Sequence, residues 1–259
     1  MKLEMLTLPY ILWWSAHVLL GLLIVFAVRG NYFTRYPIFY TYLSLLLAVG
    51  FIRLHVVTTA PDRYLVIYWS TQFLAVAAAY CVLWEIYSKV LEAFAGCAKM
   101  ASRLIAVAFV AVMGKAFLNA LMARDWVLSK RVIELERDLR SVQATFLILL
   151  VGLILYYKIP VGRNLRGLIF GFGFFVGVNI ILLTLRSYIG ASFQLWWQYL
   201  QQASVLGAFL IWCFTLYSYA PNPAPVAETE LEQDYALLQE RTYRAIARAS
   251  GYLARPFVS

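Results

Sequence analysis

Charge is scarce in this chain. Asp, Glu, Lys and Arg make up 14% of its 259 residues, against about a quarter in a soluble domain. Histidine is scarcer, at two residues, and the three cysteines, Cys81, Cys97 and Cys213, have no paired spacing. Two histidines cannot build a His-rich metal centre, and these cysteines define neither a disulfide framework nor a zinc site. His17 and His55 fall at different depths of their segments, which argues against a bis-histidine haem. The HExxH, GxSxG and P-loop patterns are missing, and no serine or cysteine stands beside an evident base. The sequence thus predicts no enzyme, no metal and no cofactor.

What the chain has in abundance is apolar and aromatic surface, with 63% hydrophobic and 17% aromatic residues. A bilayer core about 30 Å thick needs roughly 20 apolar residues of helix. Seven runs meet that length, at about 8–28, 37–57, 64–88, 103–122, 141–158, 165–187 and 194–218. The runs are continuous rather than alternating, which excludes a barrel. The expected fold is therefore all-α: a polytopic bundle of seven transmembrane helices over 1–218, followed by a tail over 219–259. The first run is too long for a signal-peptide core and lacks a small-residue cleavage site, so it reads as a retained span. A net charge of +9 would suggest nucleic acid in a soluble chain; here it fits anionic lipid headgroups, and no nucleic-acid partner is expected.

With the N-terminus outside, Arg29, Arg35, Lys89, Lys99, Arg103, Lys158, Arg163 and Arg166 fall in cytoplasmic connections together with the tail arginines, so the positive-inside rule favours N-out, C-in. The connection between spans 4 and 5 dissents, with Arg124, Lys130, Arg131, Arg137 and Arg140 on the other side. Glu136 and Arg140, at i and i+4, suggest that span 5 extends as a helix above the membrane. In the tail, "APNPAPV" forms a stiff spacer. Beyond it Leu231, Tyr235, Leu238, Thr242 and Ile246 recur at helical spacing, with acids early and arginines late. This predicts a cytoplasmic amphipathic helix, which either lies against the membrane or bundle or docks a cytoplasmic protein through 227–253.

Polar residues at membrane depth are costly and need a named role. Several project to one level near the outer end: Arg53, Lys115, Asn119, Glu136, Arg140, Gln143, Arg186, Gln198 and Gln201, with Trp69 and Gln72 at the same height on span 3. Spacings of four and seven place those within a helix on one face, as a face turned toward other helices or water would require. The basic excess, with glutamines beside it, suits a carboxylate or phosphate. These residues are the candidate ligand-binding set for a small anion on the outer side. A plainer reading has the arginines snorkelling to headgroups and the amides bonding helix to helix. Lys115, two turns inside its span, is the residue that separates the two.

Other features read structurally. Glu85 and Lys89 are spaced as an interfacial i, i+4 pair. Gly167, Gly171, Gly173 and Gly177 in "GLIFGFGFFVG" have the GxxxG spacing that lets helices touch, within the chain or across a homodimer. Segments such as "RYPIFYTY" and "FQLWWQYL" fit interfacial aromatic belts.

Taken together, "YWSTQFLAVAAAYCVLWEIY", "IELERDLRSVQATFLILL", "GLIFGFGFFVGVNIILLTLRSYIG" and "QYLQQASVLGAFLIWCF" resemble a group of bacterial seven-helix inner-membrane proteins of similar length. The resemblance covers spans 3 to 7 and implies the seven-helix architecture in a bacterial inner membrane; it implies no activity, since that group has none established. A retinal protein is excluded by the lack of lysine in the last span. The expectation is a non-enzymatic membrane protein that senses or binds a small anion outside and signals to a cytoplasmic partner. An accessory subunit of a membrane complex is the alternative, and a small transporter is disfavoured because no span is broken mid-membrane.

Overall fold

The structure, a computed structural model, describes residues 7–122, 128–223 and 233–244. Seven long helices account for most of it: α1 (Thr7–Arg29), α2 (Pro37–Thr59), α3 (Tyr64–Val90), α4 (Ala95–Met122), α5 (Leu128–Tyr156), α6 (Arg163–Ile189) and α7 (Gln194–Leu216). Each carries a stretch long and apolar enough to cross a membrane. Residues 233–244 form a further short helix, α8, and no strand occurs among the described residues.

The helix ends follow local chemistry. α1 stops at Gly30, and Asn31 takes a left-handed φ of 53°, a conformation asparagine tolerates. Pro37 opens α2 at a position where its missing N–H costs nothing. Gly190, at φ 73°, ends α6 where a side chain would be strained.

Packing closes a ring. α1 lies against α2 and α7, α2 against α3, α3 against α5 and α6, α5 against α6, and α6 along α7; α4 packs on α3 and α5, with Gly96 at its start against the Tyr235 ring of α8. The α6/α7 seam is set by glycine. A Cβ on Gly167 would overlap Thr215, and one on Gly171 would overlap the Trp212 indole. Gly173 and Gly177 do not share this role, because an added Cβ there meets nothing within 4 Å. The helix turns 100° per residue, so Gly173, six residues from Gly167, has left the seam. α7 closes the contact from its own side, with Phe174 seated over Gly207.

Two buried polar latches fix the end of the bundle that carries the α1–α2, α3–α4 and α5–α6 connections. Glu85, 5% exposed, accepts the backbone N–H of Ile38 at 3.0 Å on Oε1 and that of Phe39 at 2.7 Å on Oε2. A carboxylate of α3 thus caps α2, whose first-turn N–H groups have no partner within their own helix. This corrects the expected Glu85/Lys89 surface pair: Glu85 turns inward because the helix start offers it two donors, whereas Lys89 offers a single solvated charge. Asn164, fully buried, donates to the Thr215 and Ser218 carbonyls at 3.1 and 2.9 Å and accepts from the Ala220 N–H, tying the start of α6 to the end of α7.

The start of the fifth span also moves. The apolar stretch of α5 begins at Leu135 rather than near 141. Glu136 and Arg140 lie inside the bundle instead of on an extension above it, with side chains 11% and 3% exposed and 3.5 Å apart. Facing each other, each lowers the cost of burying the other.

Candidate functional site

At the α2–α3 end of the bundle, polar side chains from three helices form a continuous chain. Arg53 of α2 donates from Nε to Thr71 Oγ1 (2.9 Å) and from Nη2 to the Tyr68 carbonyl (3.2 Å) and Gln72 Oε1 (3.1 Å), all on α3. Gln72 passes the link on, its Nε2 donating to Glu136 Oε1 of α5 at 2.7 Å. Glu136 then faces Arg140 Nη2, and the Arg140 guanidinium lies 4.8 Å from the Phe175 ring centre on α6. Two guanidiniums share one carboxylate, so the cluster carries one uncompensated positive charge.

Arg140 is the member whose donors are least filled. It is 2% exposed, its single ion-pair contact is long, and its Nε and Nη1 find no acceptor. A long arginine on a helix leans toward the helix N-terminus, which carries its head to the height of Glu136 and Gln72. Buried N–H groups are almost always paired, and a buried guanidinium with open donors is therefore informative. One turn deeper on the same face, Gln143 is fully buried with neither amide atom partnered.

Arg140 lines a half-open cavity of about 180 Å³ walled by α1, α2, α3, α5, α6 and α7. Its polar lining is Arg140, Arg53, Gln72, Gln202 and His17; its apolar lining mixes the rings of Trp13, Tyr42, Phe175, Phe209 and Trp212 with aliphatic side chains such as Leu20 and Val205. His17 bonds through Nδ1 to the Trp13 carbonyl at 2.8 Å, which assigns that nitrogen the proton and leaves Nε2 as an unpartnered acceptor of the neutral ring. Gly50 is required opposite it, since a Cβ there would strike the imidazole.

The other residues expected at this level separate from the cavity. Lys115 points outward, its side chain 62% exposed, and pairs with Asp138 at 2.7 Å. Arg186 stacks on Trp197 with its guanidinium carbon 4.9 Å from the ring centre, and Gln198 is exposed. Gln201 donates to Asn179 Oδ1 at 2.9 Å, a bond between α7 and α6 of the helix-joining kind. The Asn119 side chain lies outside the described residues. Of the nine residues singled out, Arg53 and Arg140 line the cavity, Glu136 supports Arg140, and Gln143 sits below it.

The sequence reasoning missed His17, Gln202 and the aromatic walls. On α7 it followed Gln194, Gln198 and Gln201, whereas the cavity face runs through Gln202, Val205, Phe209 and Trp212, one residue further round the helix. The clue was the pairing of a mid-span histidine with a mid-span glycine on the neighbouring span, His17 with Gly50. Among the described residues no three of His, Cys, Asp or Glu stand close enough together to hold a metal ion. No family model, curated protein or solved structure matches the chain.

Proposed function

We propose that this chain is a non-enzymatic bacterial inner-membrane protein, N-out and C-in, that binds a small anion in the cavity at the outer end of its seven-helix bundle and reports occupancy to a cytoplasmic partner. The observation that carries the reading is Arg140: a buried guanidinium beside a cavity, with open donors and half a counter-ion. A structural arginine would have its donors filled by carbonyls or carboxylates; one kept for a ligand is left short of acceptors until the ligand arrives.

The tail supplies the route inward. The Tyr157 hydroxyl, just past the end of α5, donates to Asp234 Oδ2 of α8 at 3.0 Å. The helix whose upper half carries Glu136 and Arg140 therefore ends in contact with the tail. A shift of α5 on anion binding changes this contact, and α8, exposed along nearly its whole length with Leu237, Leu238 and Tyr243 spread around it, is open to a protein.

One observation favours the accessory-subunit reading as a second choice: Gly173 and Gly177 leave open space on α6, a surface on which another helix could pack closely.

The test is thermal stability of the purified protein titrated with small carboxylates and phosphate, in wild type and in Arg140→Gln. Stabilisation by an anion in wild type alone supports binding. Indifference of wild type to every anion, together with a fixed co-purifying membrane partner, refutes it in favour of the subunit.

A further inference from the structure

We infer that the anion is a hydrophobic monocarboxylate of about ten non-hydrogen atoms, with an aromatic ring as its best-fitting body. The inference rests on the anion-binding reading above and narrows it to a ligand class through size, charge and the order in which the walls change character.

Size comes first. The cavity holds about 180 Å³, slightly more than the roughly 150 Å³ that admits a benzene ring. Acetate or a halide would leave most of that space empty against apolar walls. A long acyl chain would have to run out through the open side, leaving part of its length outside the cavity.

Charge decides the head group. Arg53 and Arg140 contribute two positive charges and Glu136 one negative, so a single negative charge balances the cluster. Arg53 is already committed to α3 through three hydrogen bonds, whereas Arg140 keeps Nε and Nη1 open. A carboxylate matches the flat guanidinium and brings one charge. Inorganic phosphate is a mixture of monoanion and dianion at neutral pH; the dianion overshoots the cluster and costs more to strip of water.

The walls then orient the ligand. Along α7, Gln202 precedes Phe209 and Trp212 by seven and ten residues, which at 1.5 Å per residue is about 10 and 15 Å along the axis. Gln72, Gln202 and the Arg140 head thus lie toward the α2–α3 end, and Leu20, Phe209 and Trp212 form the deeper floor. A carboxylate at the polar end places its apolar body on that floor. Five rings, Trp13, Tyr42, Phe175, Phe209 and Trp212, stand among the aliphatic walls, so a flat ring finds edge-to-face partners where a flexible chain would have to be ordered.

The experiment is isothermal titration of the full-length protein in dodecyl maltoside with phenylacetate, acetate, inorganic phosphate, decanoate and the neutral 2-phenylethanol. Phenylacetate should bind about tenfold or more tighter than acetate, phosphate or 2-phenylethanol, the discrimination a well-formed apolar pocket supplies. Arg140→Met should abolish the phenylacetate signal. Ala208→Leu, which fills the floor, should weaken phenylacetate about tenfold while leaving acetate unchanged. If either variant fails to fold, the ranking of ligands on wild type decides.

Acetate or phosphate binding as tightly as phenylacetate, and depending on Arg140, overturns this inference while leaving the small-anion reading intact. Decanoate binding tighter than phenylacetate overturns the size limit and points to a membrane fatty acid. Phenylacetate uptake unaffected by Arg140→Met is micelle partitioning and overturns the proposal. No Arg140-dependent binding of any of these anions removes both readings.

Discussion

Removing the carboxylate of Glu136 should harm the protein more than removing that carboxylate and the Arg140 guanidinium together. Among the described residues Glu136 is the only anionic partner of a guanidinium that is 2% exposed, and Nε and Nη1 of Arg140 are already open. Glu136→Gln leaves that charge in a low-dielectric interior without a counter-ion, at a cost of ~3–5 kcal/mol. At roughly 2–4 °C per kcal/mol for a chain of this class, the melting temperature falls by about 6–20 °C. Adding Arg140→Met removes the stranded charge and fills its path with an unbranched apolar chain, so the double variant recovers to within ~1 kcal/mol of wild type or exceeds it. Arg140→Met alone costs little, because Glu136 keeps its hydrogen bond from Gln72 and some contact with solvent. The assay is a double-mutant cycle read by tryptophan fluorescence during thermal unfolding in detergent. A double variant no more stable than Glu136→Gln would show that the two side chains do not sense each other. The electrostatic account of the site would then be wrong.

Four further outcomes follow from the geometry. Glu85→Ala, which strips the N–H groups of Ile38 and Phe39 of their shared acceptor, should cost ~2–4 kcal/mol, with Glu85→Gln near half of that; equal melting curves for wild type and Glu85→Ala would refute the latch. Gly171→Ala should destabilise by ~1–3 kcal/mol through overlap with Trp212, whereas Gly173→Ala, facing open space, should be neutral or slightly stabilising; thermal melts that rank them the other way would place the α6/α7 seam elsewhere. Lys115→Met should change stability by less than ~1 kcal/mol, since its pair with Asp138 is solvated, and should leave anion binding untouched in the same titrations. In a cysteine-free background, an impermeant maleimide applied to intact cells should label Asp62→Cys from outside, while Thr34→Cys and Asn222→Cys react only after lysis; the reverse pattern would invert the proposed orientation.

The seven helices were legible in the sequence because a continuous apolar run of that length has few alternatives once a bilayer is the solvent. The boundary of the fifth span was not. Glu136 and Arg140 read as charges to be kept out of lipid, and only the fold reveals that they face each other inside it. The level of the polar residues was likewise legible, but their azimuth was not. Spacing within a helix fixes which residues share a face, and cannot say which neighbour that face meets. Lys115 and Arg140 occur at similar heights, yet one turns out to Asp138 and the other inward over Phe175. Glu85 shows the same limit. Its i, i+4 lysine was visible in the sequence, whereas the backbone N–H groups of Ile38 and Phe39, on another helix, were not.

The seam between α1 and α7 joins the two ends of the chain's membrane region, as the contact of Cys213 with the Leu19 carbonyl across 194 residues illustrates. During biosynthesis the first helix to enter the bilayer must therefore wait for the last before its principal partner exists. Until that moment the ring stands ajar, with its arginine-bearing interior open sideways to lipid. Insertion of α7 is thus the event that closes the ring.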